Sequence, residues 1–310
     1  MKRLFLYFGL TMMLGIAIAV NSCEKETKET LKPDELTTYT STTVYGMDDI
    51  AFDGVNMWTA NVSDNSVTKI TPNGVMTTYK GTGEGPVDIA FDGANMWTVN
   101  FIDNSVTKIT PNGVMTTYKG TGEWPLAIAF DGANMWTANR DDNSVTKITP
   151  NGVMTTYKGT GVEPLAIAFD GANMWTANFS DKSVTKITPN GVMTTYKGTG
   201  GEPRAIAFDG INMWTANYNN SVTKITPKGE MITYIGTGNS PVDIAFDGAN
   251  MWTANNNLIL SSSVTKITPN GVMTTISISE DPLAIAFDSK EKCMWTANGN
   301  SVTKIPVKAF

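Results

Sequence analysis

The sequence predicts an all-β fold, a seven-bladed β-propeller of four-stranded antiparallel blades in which an N-terminal strand closes the last blade. Three observations predict it. The stretch Ala129-Phe-Asp-Gly-Ala-Asn-Met-Trp-Thr-Ala-Asn139 recurs around Trp58, Trp97, Trp136, Trp175, Trp214, Trp252 and Trp295, at intervals of 39, 39, 39, 39, 38 and 43 residues. A period near forty means one supersecondary unit copied along the chain. Each unit holds short β-branched and aromatic runs of period two, with no helical spacing. The third observation is that the two ends of the chain are incomplete in complementary ways.

One unit shows the strands. Ala127-Ile-Ala-Phe130 alternates small and large residues, turns at Asp131-Gly132 and resumes as Asn134-Met-Trp-Thr-Ala138. A polar loop over 139–143 leads to Ser144-Val-Thr-Lys-Ile148, and the Thr149-Pro-Asn-Gly152 turn leads to Val153-Met-Thr-Thr-Tyr157. Asp-Gly and Pro-Asn-Gly supply the conformations that reverse a chain. The last unit stops after Ser301-Val-Thr-Lys-Ile305 and lacks a fourth strand, whereas Glu35-Leu-Thr-Thr-Tyr39 precedes the first unit and matches the fourth strand elsewhere. Pairing those ends closes the ring and leaves no open sheet edge there. The seven tryptophans read as a ring of inter-blade packing residues, and the aspartate after each Ala-Phe as a turn residue. The lysine of each Ser-Val-Thr-Lys reads as a solvated or cross-strand partner.

Ahead of the repeats the chain changes character. Lys2 and Arg3 precede an apolar run from Leu4 to Val20, followed by Asn21-Ser22-Cys23. This has the form of a secretory signal, and its end resembles a bacterial lipobox with Cys23 as the lipidated residue. Residues 1–22 are therefore expected to be a signal peptide and 23–34, rich in Glu and Lys, a disordered tether. The propeller is expected over 35–310. The expected location is the outer membrane or cell surface of a bacterium, with membrane contact through the lipid anchor only and a monomeric body. Cys293 is the single other cysteine, so no disulfide forms within the mature domain if Cys23 is lipidated. Cleavage before Cys23 removes Lys2 and Arg3 and no acid, moving the formal charge from −6 to −8. Nucleic-acid binding rests on phosphate neutralisation by Lys and Arg, so an acidic body argues against that partner.

Differences between the copies gather in two connections, from second to third strand and from fourth strand to the next blade. An up-and-down blade places both at one end, and variable loops on a fixed scaffold are where recognition resides. Candidate binding residues on this rim are Phe101, Trp124, Arg140, Phe179, Arg204, Tyr218 and the apolar insertion Leu258-Ile259-Leu260. Trp124 lies off the tryptophan register and reads either as a stacking platform or as a packed loop aromatic. Partners of this rim are expected to be a protein, peptide or glycan of the cell envelope. Asp49, Asp88 and Asp243 open the first strand of three blades where the others carry alanine, and hard cations such as Mg²⁺ or Ca²⁺ prefer oxygen ligands. No bound cofactor is expected otherwise.

The repeat Pro-x-x-Ile-Ala-Phe-Asp-Gly-Ala-Asn-Met-Trp-Thr-Ala-Asn, followed by Asn-Ser-Val-Thr-Lys-Ile-Thr-Pro-Asn-Gly, resembles those of the streptogramin B (virginiamycin B) lyases. It is also similar to NHL and YVTN-type propeller repeats. The resemblance implies a seven-bladed fold and, for the lyases, ester opening by elimination with a histidine base, a glutamate and Mg²⁺. The chain contains no histidine. No residue therefore matches the lyases' base, and there is no Gly-x-Ser-x-Gly or Cys/His pair for nucleophilic catalysis. Two functions follow from the sequence. One is a non-catalytic binding scaffold acting through the variable rim. The other is a divergent carbon–oxygen lyase with a divalent metal at the channel mouth.

Overall fold

The computed structural model describes residues 36–41, 44–256 and 262–309. These form seven four-stranded antiparallel sheets, each a meander in chain order except the last. In the third blade the inner strand is Pro125–Phe130, the second Met135–Asn139, the third Ser144–Ile148 and the outer Met154–Lys158. Each inner strand abuts the inner strands of both neighbours, and the first abuts the seventh, so the sheets stand around a central channel. The last blade pairs its Ser301–Pro306 strand with Thr37–Thr40, Thr37 opposite Lys304 and Thr40 opposite Ser301. The complementary ends do complete one blade.

The core lies between blades rather than within them. Second strands are buried along their whole length, while the outer strand of the third blade has only half-buried and exposed residues. Trp136, Ala138 and Val145 of the third blade pack with Ile167, Met174 and Ile187 of the fourth, and the same cluster recurs around the ring. All seven repeat tryptophans are inaccessible to solvent. Each indole is fixed from several sides. Tyr157 stacks on Trp136 with ring centres 5.8 Å apart, and Lys147 Nζ lies 5.5 Å from the indole centre. Lys147 also donates to the carbonyl of Pro189 in the next blade at 3.4 Å, so this lysine ties blades together rather than sitting free in solvent.

The repeated aspartate does more than turn the chain. Asp131 Oδ1 accepts the backbone N–H groups of Ala133 and Asn134, while Oδ2 accepts the Trp136 indole N–H at 2.7 Å. One carboxylate thus forms the turn and anchors the core indole. Burial pushes this carboxyl up, yet those hydrogen bonds outweigh it and hold Asp131 below the usual range. The seventh blade is the exception. Two extra residues separate Asp288 from Trp295, and the Trp295 indole N–H is left buried without a partner.

The Pro-Asn-Gly turn locks successive blades. Gly152 has φ +81° and lies against the Tyr118 ring of the preceding blade, where an added Cβ would sit 2.1 Å from the ring. Only glycine combines that backbone conformation with so close an approach. Gly74 meets Tyr39 of the closing strand in the same way, and Tyr39 stacks on Trp295 at 5.8 Å. The joint that closes the ring therefore repeats the joints elsewhere. Cys293 is buried beside Trp295, as a small packing residue would be. The signal peptide, Cys23 and the tether fall outside the described residues.

Candidate functional site: rim and channel mouth

The two variable connections do share one face and are bound to each other. The backbone N–H of Arg140 donates to the Trp124 carbonyl at 3.0 Å, and Phe179 to Glu163 and Tyr218 to Glu202, each at 2.9 Å. Each connector is also held by the blade before it: the Trp124 N–H donates to Asn104 Oδ1 at 3.0 Å and the Glu163 N–H to Asn143 Oδ1 at 2.9 Å. Asn104 and Asn143 have φ +50°, a left-handed conformation that asparagine tolerates better than most residues. Loops so fixed present their side chains in a set geometry.

The candidate residues meet across blade boundaries. Trp124 packs against Phe101 with ring centres 5.1 Å apart and planes inclined at 50°, and stays 41% exposed. It is at once a packed loop aromatic and an open surface. Arg140 pairs with Glu163 at 3.0 Å, and the Ser180 hydroxyl donates to the other Glu163 oxygen. Hydrogen bonds from Ser180 and Arg140 hold the Glu163 carboxyl below its ordinary range. The Arg204 guanidinium carbon lies 4.4 Å from the Tyr218 ring centre and 5.8 Å from that of Phe179. Leu258, Ile259 and Leu260 lie outside the described residues.

Partners that the sequence reading missed sit among them. Glu163 is one, and Lys182 with Glu202, paired at 2.9 Å, are the others. The available signal was the recurrence of a charge in one connection with an opposite charge 20 to 23 residues further on.

Below the rim, Asp49, Asp88 and Asp243 sit on inner strands beside a β-bulge, which shifts the register between the preceding two positions and the aspartate. Each carboxylate reaches the next inner strand around the ring. Asp49 Oδ2 accepts the Ile89 N–H at 3.0 Å, Asp88 Oδ2 the Ile128 N–H at 2.7 Å and Asp243 Oδ2 the Ile285 N–H at 2.7 Å. They latch inner strands together. The Asp49 and Asp88 carboxyls also share a hydrogen bond, which requires a proton on one of them. All three side chains are half-buried among the inner strands. Burial first, then the neighbouring Asp88 charge, holds Asp49 well above its ordinary value. Burial and the Asp49 charge push Asp243 up to about 7, and burial pushes Asp48 up to about 6.

Among the described residues, no three His, Cys, Asp or Glu side chains are grouped as a metal site requires. The three aspartates expected as metal ligands each accept a backbone N–H group. Two cavities, of about 230 and 160 Å³, lie on the opposite face between repeated turns, sharing Ile211 in their walls. They are lined by blade-building residues such as Trp175, Lys186, Trp214 and Lys224.

The sequence model of the Virginiamycin B lyase family matches residues 121–309. Among curated proteins no significant match is found. Solved structures with similar folds include a streptogramin B lyase, 18% identical with TM-score 0.76, covering 87% of this chain and 96% of that one. Virginiamycin B lyase from Staphylococcus aureus is 19% identical with TM-score 0.74, over 87% of this chain and 98% of that one. The WD40 repeats of RRP9 are 14% identical with TM-score 0.77, over 90% and 99%. At such identities the likeness is one of fold, and it extends equally to enzymes and to WD40 propellers.

Proposed function

The chain belongs to the virginiamycin B lyase family, and from that premise we propose that it is a non-catalytic binding propeller acting through its variable rim. One observation carries this reading. The residues that differ between otherwise near-identical blades converge on a single face as cross-blade groups: Phe101 with Trp124, Arg140 with Glu163, and Arg204 with Phe179 and Tyr218. Aromatic and arginine side chains held rigidly on one surface are the composition of a binding patch. The elimination chemistry of the family's lyases has no histidine in this chain to serve as base.

The partner is a protein, peptide or glycan of the cell envelope, reached by a monomer tethered through lipidated Cys23. The test compares the full chain with a variant carrying Phe101→Ala, Trp124→Ala and Arg140→Ala on envelope material from the native cells. At least tenfold weaker retention is expected, with an unchanged thermal transition. Unchanged retention counts against the rim. Family membership supports a second reading, a divergent lyase. Ring opening of a streptogramin B antibiotic by the purified chain would establish that reading and displace the first.

A further inference from the structure

We propose that Arg204, with Phe179 and Tyr218, forms a carboxylate-binding site at the channel mouth, which takes a monoanionic ligand with an apolar body such as a peptide C-terminus. The inference rests on the rim being the binding surface and names the chemistry it recognises.

The position of Arg204 is unusual within the repeat. It is the bulged residue of its inner strand, where the third, fourth and sixth blades carry Leu126, Leu165 and Val242. A long cation thus replaces an aliphatic side chain at one point of the ring. The guanidinium is then held against two rings, 4.4 Å from the centre of Tyr218 and 5.8 Å from that of Phe179. Stacking fixes the plane of the group, and the donors in that plane have the fork geometry that matches a carboxylate.

Those donors have no partner among the described residues. Arg204 Nε is buried without a hydrogen-bond acceptor. The acid nearest in sequence, Glu202, is already engaged by Lys182 at 2.9 Å. The contrast with Arg140 is direct, because that arginine is neutralised by Glu163 at 3.0 Å. A buried donor left unmade costs free energy that an incoming acceptor recovers. A second donor lies two residues along the same strand. Asp49, Asp88 and Asp243 cap the backbone N–H groups of Ile89, Ile128 and Ile285, but the fourth blade carries Ala166 at that position. No carboxylate from the preceding blade therefore reaches Ile206.

Charge selects the ligand. One guanidinium balances one negative charge, so a carboxylate is neutralised in full and a phosphate dianion only in part. Tyr218, 46% exposed, and the neighbouring Leu165 offer apolar surface for the body that bears the carboxylate.

The chain has three arginines, Arg3, Arg140 and Arg204, so their side-chain Nε–H signals are separable in a ¹⁵N-correlated spectrum. Arg204→Lys assigns the Arg204 signal by its loss. The full chain is titrated with N-acetylphenylalanine, with N-acetylphenylalaninamide and with inorganic phosphate. The Arg204 signal is expected to move saturably with the acid, at a Kd at least tenfold below those for the amide and for phosphate, while Arg140 stays nearly still. By calorimetry, Arg204→Lys is expected to weaken acid binding at least tenfold with an unchanged thermal midpoint, because the charge persists and the fork is lost. An unmoved Arg204 signal, equal response to the amide, or tighter phosphate binding overturns the assignment. Retained envelope binding by the rim together with a silent Arg204 defeats this site alone. Loss of rim dependence defeats the broader reading, whatever Arg204 does.

Discussion

A single carboxylate, Asp131, makes the turn and holds the indole of Trp136 at 2.7 Å, so side chains that look interchangeable in a repeat have divided duties. Glycines divide in the same way. Gly132 and Gly152 both have positive φ, +92° and +81°, but only Gly152 faces a neighbour, the Tyr118 ring of the blade before it. Gly132→Ala is expected to cost about 1–2 kcal/mol, the strain of the left-handed conformation. Gly152→Ala adds a clash with a packed ring and is expected to cost about 1–3 kcal/mol more, the range for overpacking a well-filled interior. Denaturant unfolding of the two variants checks the difference, and equal losses would mean that the tyrosine contact does not lock the blades. The Asp-Gly and Pro-Asn-Gly turns were both legible in the sequence. Their different surroundings were not, because the tyrosine comes from another repeat.

At the scale of the strand, the inner ring couples stability to pH. Asp243 is pushed up to about 7 from an ordinary 3.8, by burial and then by the Asp49 charge. The folded protein keeps a proton that the unfolded chain has released, so this group's stabilisation is complete below about pH 4. It is lost as pH rises through about 7. Asp49 acts in the same direction, whereas Asp131 and its counterpart Asp92, held low by their hydrogen bonds, contribute above their ordinary value and lose that contribution in acid. The expected outcome is a stability maximum in mildly acidic solution and a decline toward pH 8. Asp243→Asn keeps an acceptor for the Ile285 N–H and removes the titration. It is expected to raise the thermal midpoint at pH 8 by about 2 °C or more while leaving pH 4 nearly unchanged. A midpoint that follows the parent at both values would show that Asp243 titrates as an ordinary surface carboxylate.

The whole molecule depends on one short strand. Thr37–Thr40 covers the edge of the last blade and carries Tyr39, which joins Trp295 of that blade to Gly74 of the first. Deleting residues 36–41 is expected to uncover the Ser301–Pro306 strand and to open the ring at its seam. An uncovered strand edge pairs with other chains. The deletion should lower the thermal midpoint and produce larger species on size exclusion with light scattering. A variant that keeps the parent's mass and midpoint would mean that the other six inter-blade joints suffice to hold the ring.

The sequence by itself determined the blade count, the strand order within a blade, the closing strand and the face on which variation gathers. Period and turn chemistry are local properties, written within about forty consecutive residues, and the tryptophan spacing alone carried most of them. It also settled that no histidine base is present. Only the tertiary structure decided which residues meet. Phe179 belongs to the fourth blade and Arg204 and Tyr218 to the fifth, and stacking brings the guanidinium within 5.8 Å of both rings. Asp49 and Asp88 lie one repeat apart and share a hydrogen bond, while Asp243 feels the Asp49 charge because the ring closes between them. The reason is physical. A repeat encodes its own strands through local periodicity, but contacts between repeats depend on the rotation from blade to blade, which no single unit contains.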